Sequence, residues 1–182
     1  MTKIYLAHSI STRGEFEDSK RVADEIRSLG FDVYAAAEND SINDKSNEPT
    51  PQDIYNGDVS EIMSSDIFVV NVSGGHQDGT ISEIGLVAGI NEMGSDVMKE
   101  FDMTYEHMPI IAYTSNARLL QPQFYEGMSS ASANHLVLGM ISKWGEFVGS
   151  EDDMLTELGR IKAPQDYYSS ELEGVMTVDD VF

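Results

Sequence analysis

The most constraining feature of this sequence is a near-continuous apolar run, DIFVVNVS, at residues 66–73. A strand that is apolar on both faces is typical of a parallel sheet with helices on both sides, because each face of the strand packs against a helical layer. Shorter apolar segments at residues 3–7, 31–36 and 108–114 are predicted to be further strands. Together these segments predict an α/β domain.

Segments with helical spacing of apolar residues alternate with these strands. The predicted helices cover residues 15–30, 53–65, 80–93, 134–149 and 152–162. Strands that alternate with helices imply right-handed crossovers and parallel pairing. We therefore expect a doubly wound, flavodoxin-like, five-stranded parallel sheet with helices on both faces. This single domain spans residues 1–162, and residues 163–182 form an acidic, poorly patterned C-terminal tail.

Charge and composition restrict the partners. The chain has 32 acidic and 11 basic residues and a net charge of −21, a field that repels phosphate backbones, so a nucleic acid partner is not expected. Its apolar stretches are all shorter than the roughly 20 residues needed to span a bilayer, so a membrane partner is not expected either. The sequence contains no cysteine, which excludes a thiolate nucleophile and fits a reducing cytoplasm.

The loops that follow the strands are the expected ligand site, because open α/β sheets bind ligands beyond the carboxyl ends of their strands. These loops contain AHSIST, the long polar segment 38–52, and NVSGGHQDGT. The chain has no GxGxxG after its first strand, no P-loop, and no G-x-S-x-G elbow, so the common phosphate-binding and serine-hydrolase fingerprints are missing. Its histidines lack metal-ligand spacing. His8 and His76 can approach each other at the sheet edge, but we predict no metal site.

Glu83 has two interpretations. Thr80-Ile-Ser-Glu83 matches a capping box, in which the glutamate at N3 reaches back to the threonine at the N-cap. Alternatively, a carboxylate at a helix start beyond a strand end faces the expected ligand crevice and can attack an electron-poor carbon. The capping box does not account for the Gly-Gly-His-Gln-Asp-Gly segment that precedes it.

Three other positions also have both a structural and a functional interpretation. Asp58 is either a solvated residue of its helix or a second site acid. Tyr5, in the middle of the first strand, is either core or a phenol that orients a neighbouring carboxylate. Ser9, in the hydroxyl-rich segment SISTR, is either an ordinary loop residue or a ligand to a sugar or phosphate.

Several segments together resemble the nucleoside 2-deoxyribosyltransferases. They are IYLA near the start, GF-x-V at the second strand, GD-x-x-x-I-x-x-S-D-I before the third strand, D-G-T-x-x-E-I-G after it, and a weaker match at NHLVLGMI. The resemblance implies that Glu83 is the nucleophile, that Tyr5 positions it, and that Asp58 lines the active site. It also implies that Asn134 is donated by a neighbouring subunit.

The resemblance further places Asp78, with Gly79 beside it, as the loop acid that holds the sugar or assists the leaving base. Several members have this acid six residues before the glutamate, where this sequence has Gln77. The implied activity is transfer of a 2-deoxyribosyl group between purine or pyrimidine bases, through a covalent Glu83 intermediate and without a cofactor. The implied assembly is a dimer-based homo-oligomer such as a hexamer, and the implied partners are deoxynucleosides and free bases.

Two alternatives remain open at this stage. One is an N-glycosidase that hydrolyses deoxynucleoside 5′-monophosphates on the same scaffold, with Ser9 and Arg13 near the phosphate. The other is a non-catalytic nucleotide-binding module, since a fold alone does not establish catalysis.

Overall fold

A five-stranded parallel sheet organises the molecule, whose computed structural model describes residues 1–73, 77–121, 124–126, 128–129 and 133–172. The strands are β1 (Lys3–Ala7), β2 (Asp32–Ala35), β3 (Ile67–Asn71), β4 (Ile110–Tyr113) and β7 (Gly145–Gly149), while β5 (Phe124–Tyr125) and β6 (Met128–Ser129) form a separate antiparallel pair. The helices are α1 (Arg13–Ser28), α2 (Asp40–Asn43), α3 (Pro51–Met63), α4 (Asp78–Glu100), α5 (Ala117–Leu120), α6 (His135–Trp144) and α7 (Glu151–Leu172), with short 3₁₀ turns at Ala36–Glu38 and Lys45–Asn47.

The strand order of the main sheet is β2-β1-β3-β4-β7, and all of its pairings are parallel. Counted along the chain within this sheet, the order is 2-1-3-4-5, which is the flavodoxin-like arrangement. The predicted fold class is therefore confirmed. The order reverses at β1 and β3, and the crevice beyond their carboxyl ends is the usual ligand position in such sheets.

The two faces of the sheet carry separate cores, because side chains alternate along each strand. Ile4 and Leu6 of β1 pack on one face with buried residues of α1 and α7. Tyr5 and Ala7 point to the other face, where α3, α4 and α6 cover the sheet. Strand β3 is buried along its whole length, as the apolar run at residues 66–73 predicted.

The predicted helix at residues 134–149 is wrong in its last third. Helix α6 ends at Trp144, and Gly145–Gly149 forms β7 beside β4. Gly145 permits this pairing because a Cβ at that position would lie 1.8 Å from the carbonyl oxygen of Ile110. In β7, Phe147 and Val148 then pack on opposite faces of the sheet. The fifth strand of the expected sheet is thus a segment that had been assigned to a helix.

Other boundaries also differ from the sequence prediction. Helix α4 begins two residues earlier and ends seven residues later than predicted, and its last turn holds Lys99, whose charge favours a helix C-terminus. The polar segment 38–52 is partly helical, because Asn39 caps α2 and Thr50 caps α3. Helix α7 continues to Leu172, into the segment predicted to be a poorly patterned tail. Within the described parts of the chain, none of the helices combines the length and apolar character that crossing a membrane requires.

Candidate active site

Glu83 does not cap its helix. Helix α4 begins at Asp78 with Gln77 as the N-cap, and the Ile81 N–H donates to the Gln77 carbonyl at 2.8 Å. Glu83 therefore lies in the second turn, where a capping box is geometrically impossible. The capping-box interpretation of Thr80–Glu83 is wrong, because the helix starts before the threonine.

The Glu83 carboxylate is held instead by a buried tyrosine on the neighbouring sheet. The Tyr5 hydroxyl donates to Oε1 of Glu83 at 2.7 Å. Tyr5 is 0% exposed and lies in β1, opposite Phe68 of β3 and Tyr34 of β2 in the strand register. The packed sheet fixes the phenol, so the phenol in turn fixes the orientation of the carboxylate.

Burial controls the ionisation of this pair. It raises the pKa of Glu83 to about 7, with the nearby Asp58 carboxylate adding to the shift and the Tyr5 hydrogen bond opposing it. Burial also raises the pKa of Tyr5 far above its ordinary value, with Glu83 and Asp58 acting in the same direction. Tyr5 thus stays protonated and donates its hydrogen bond at neutral pH, whereas Glu83 is present there in both its protonated and its ionised form.

Asp58 reaches the same region from α3. Its carboxylate accepts from the Tyr34 hydroxyl at 3.4 Å, and the Tyr34 ring stacks on Tyr5 with centroids 5.2 Å apart. Burial raises the pKa of Asp58, with Glu61 acting in the same direction and the hydroxyls of Tyr34 and Tyr5 opposing it. Sequence analysis did not single out Tyr34. Its position beside Tyr5 follows only from the register of β1 and β2, which the sequence does not reveal.

A cavity of about 180 Å³ opens above these groups, beyond the carboxyl ends of β1 and β3. Five of the predicted site residues line it: Ser9, Asp58, Asp78, Gly79 and Glu83. His8, Ser11, Gln77 and Thr80 add polar groups, and Ile10 and Ala36 add apolar surface. The fold thus brings residues from three separate loops and two helices together around the carboxylates of Asp58, Asp78 and Glu83.

Gln77 and Asp78 have different surroundings. The Gln77 side chain is buried, accepts from the Ser73 N–H at 3.1 Å, and donates to the Asn71 carbonyl at 3.2 Å, so it holds the loop before α4. Asp78 is exposed at the first position of α4 and accepts from the Gly79 N–H at 3.1 Å. Asp78 therefore presents a carboxylate to the cavity, although it lies only five residues before Glu83.

Asn134 is not one of the described residues that line this cavity. It is the N-cap of α6, where its side chain accepts from the Leu136 N–H at 2.9 Å. His76, the second histidine of the conceivable metal pair, lies outside the described residues. Among the residues that the structure describes, no group of three or more histidine or acidic side chains could hold a metal ion.

Known structures share this architecture. A conserved protein from Enterococcus faecalis V583 is 25% identical, with 88% of this chain and 98% of that chain covered and a TM-score of 0.69. A 2-deoxyribosyltransferase from Bacillus psychrosaccharolyticus is 15% identical, with 85% and 90% covered and a TM-score of 0.55. A CMP N-glycosidase from Clostridium botulinum is 15% identical, with 86% and 98% covered and a TM-score of 0.51. At 15% identity these likenesses concern the fold.

A comparison with curated proteins gave no match. The sequence model of the nucleoside 2-deoxyribosyltransferase family matches residues 4–157, which include both carboxylates, Tyr5 and the loop before α4. The match therefore spans most of the chain and every side of the cavity. The chain belongs to the nucleoside 2-deoxyribosyltransferase family.

Proposed function

We propose that this protein transfers the 2-deoxyribosyl group between the bases of 2′-deoxynucleosides, with Glu83 as the nucleophile. The observation that carries the proposal is the Glu83 carboxylate, which lines the cavity, is partly desolvated, and is oriented by the 2.7 Å hydrogen bond from Tyr5. A carboxylate fixed and desolvated in this way has lost part of the hydration that would stabilise it in water. It is therefore preorganised to attack a carbon that develops positive charge.

In the first half-reaction, Glu83 attacks C1′ of the deoxynucleoside while the C1′–N bond to the base breaks. The electrons of that bond go to the base nitrogen, and the carboxyl group of Asp58, which lines the cavity with Glu83, gives that nitrogen a proton. The products are a 2-deoxyribosyl ester of Glu83 and a neutral free base. The transition state resembles an oxocarbenium ion, as in retaining glycosidases.

In the second half-reaction, a nitrogen of another base attacks C1′ from the face that the first base left. The C1′–O bond to Glu83 breaks, the carboxylate is regenerated, and Asp58 takes the proton that the incoming nitrogen loses. Two inversions give overall retention. Substrates with a 2′-hydroxyl should react more slowly, because that oxygen withdraws electrons from the developing cation.

The transfer assay incubates the protein with 2′-deoxyinosine or thymidine plus adenine and separates the products by chromatography. The expected result is 2′-deoxyadenosine, with the donor base released in equal amount. Deoxyribose in place of the new nucleoside would identify a hydrolase, in which water is the acceptor. Binding of the nucleosides without turnover, measured by calorimetry, would contradict catalysis and favour a binding module.

We also propose that the active form is a homo-oligomer in which Asn134 of one copy completes the cavity of another. Asn134 caps α6 and does not line the described cavity of its own chain, and two residues later the side chain of Leu136 is 73% exposed. A contact that covered Leu136 would also place Asn134 against the second copy.

Mixing two inactive variants tests the shared site. Glu83→Gln removes the nucleophile, and Asn134→Ser removes the amide while keeping a residue that caps helices. If each site takes one group from each of two copies, subunit exchange in a 1:1 mixture of the two variants makes about a quarter of all sites intact. Activity that never exceeds the sum of the two variants alone, or a fully active monomer in light scattering, would contradict the shared site.

A further inference from the structure

A second cavity of about 310 Å³ adjoins the first and shares His8, Ser9 and Gln77 with it. It lies between the start of α1 and the carboxyl ends of β3 and β4. Because the two cavities share these three residues, they lie side by side, and a ligand that occupies both must pass His8 and Gln77. The second cavity alone reaches the lower end of the size range of ligand pockets, and the two cavities together lie inside that range.

The second cavity is lined by polar groups that suit a hydroxyl. Asn71 donates to Nε2 of His8 at 3.0 Å and to the Ser115 hydroxyl at 3.3 Å. The Ser73 and Ser115 hydroxyls lie 2.8 Å apart, and Ser73 also donates to the Asn71 side chain. Its described lining includes no apolar side chain, whereas the first cavity has Ile10 and Ala36 to contact the faces of a base.

The charges in the second cavity are negative. Glu15 and Asp18 of α1 both line it, and the described lining residues include no lysine or arginine. A hydrogen bond from the Thr12 side chain lowers the pKa of Glu15, so this acid is ionised at neutral pH. Asp18 accepts from Arg21 at 2.7 Å and lies 3.3 Å from Nε2 of His8.

Arg21 and His8 already face protein groups, and Arg13, at the first position of α1, is not among the described residues that line this cavity. The guanidinium of Arg21 is shared among Asp18, Glu25 and Glu151. His8 already has protein partners on both ring nitrogens, since its Nδ1 lies 2.7 Å from the Ser9 carbonyl oxygen and its Nε2 lies 3.0 Å from the Asn71 amide nitrogen. The net charge of −21 adds a long-range field of the same sign as the two carboxylates.

We propose that the second cavity receives the 5′-hydroxymethyl end of the sugar and that Glu15 and Asp18 exclude a 5′-phosphate from it. The substrates are then free deoxynucleosides and not their monophosphates. This inference rests on the proposed function, because it places C1′ at Glu83 and the base against Ile10 and Ala36. A phosphate dianion in this cavity would meet two carboxylates at short range, and like charges so placed oppose binding strongly.

The test compares kcat/KM for thymidine and thymidine 5′-monophosphate, each with adenine as acceptor, in the wild type and in Glu15→Gln/Asp18→Asn. Glutamine keeps the capping box of α1, and Arg21 keeps two of its three acidic partners. We expect the wild type to prefer the nucleoside by at least about 100-fold, and the double variant to lose about tenfold or more of that preference. Added salt should raise wild-type activity on the monophosphate, because it screens the repulsion.

Glu17→Gln/Asp24→Asn is the matched control, because it removes two charges from α1 at residues that do not line the described cavity. It should leave the preference unchanged. A wild type that uses the monophosphate as well as the nucleoside would overturn the inference and leave the proposed transfer intact. If neither compound is consumed, the proposed function fails. Calorimetry then still decides the inference, since equal or tighter binding of the monophosphate overturns it.

Discussion

Replacement of Glu83 by glutamine should separate the stability of the fold from catalysis. The folded protein raises the pKa of Glu83 from an ordinary 4.5 to about 7, so it binds this proton more tightly than the unfolded chain does. The wild type therefore loses stability as the pH rises from about 4.5 to about 7, and above that window the full loss is present. Glutamine has the same shape, still accepts from Tyr5, and carries no charge at any pH.

The size of the effect follows from the shift. At about 1.4 kcal/mol per pH unit, it corresponds to roughly 3.5 kcal/mol as an upper bound. The Glu83→Gln variant should gain up to this amount relative to the wild type between pH 4 and pH 8, which in a chain of this length raises the melting temperature by at most about 7–14 °C. Transfer activity should nevertheless fall by several orders of magnitude, because a neutral amide neither attacks C1′ nor stabilises its developing charge.

Thermal unfolding followed by circular dichroism at pH 4, 6 and 8 measures the difference between variant and wild type. Glu100→Gln, the matched control, removes a charge from an exposed position at the end of the same helix, where solvent screens it, so this variant should change the melting temperature much less than Glu83→Gln does. A difference between Glu83→Gln and the wild type that does not change with pH would refute the raised pKa. Near-normal transfer by that variant would refute the role of Glu83 as nucleophile.

Four further substitutions test the surroundings of the site and the fold. Tyr5→Phe removes the hydrogen bond that lowers the pKa of Glu83, so the rising limb of kcat/KM against pH should move to higher pH; an unmoved limb would count against the pairing. Asp58→Asn should lower kcat most for bases that leave poorly, measured with a series of substituted purine deoxynucleosides; equal losses across the series would argue against proton transfer by Asp58. Gly145→Ala should destabilise the fold by about 1–3 kcal/mol in urea unfolding, because its Cβ would lie 1.8 Å from a β4 carbonyl. Gly139→Ala in α6, whose Cβ would meet none of the described atoms within 4 Å, should gain about 1 kcal/mol, and equal effects at the two glycines would contradict the assignment of β7.

The sheet was predictable because its signal is local. The apolar run 66–73 and the alternation of strands with helices are properties of short segments, and they fix a parallel, doubly wound fold. Strand β7 was missed for a physical reason. Phe147 and Val148 continue an apolar pattern after α6, and only the close approach of Gly145 to β4 turns that segment into a strand.

The site was predictable only in part, for a similar reason. Loops at the carboxyl ends of strands can be located from sequence, and these loops contain Ser9, Asp78 and Gly79. Contacts between elements cannot be located in this way. The bond between Tyr5 and Glu83 joins residues 78 positions apart, and the stacking of Tyr34 on Tyr5 depends on strand register. The capping-box ambiguity at Glu83 was resolved only by the true start of α4.

Detection of a covalent intermediate tests the role of Glu83 as nucleophile. The wild-type protein is mixed with 2′-deoxyinosine in the absence of an acceptor base, quenched rapidly in acid, digested, and analysed by mass spectrometry. We expect a peptide heavier by one 2-deoxyribosyl group, with the modification on Glu83, and loss of that species when adenine is added before the quench. The Glu83→Gln variant should show no adduct. An adduct on a different residue, or transfer that proceeds at the normal rate with Glu83 unmodified, would show that Glu83 is not the nucleophile.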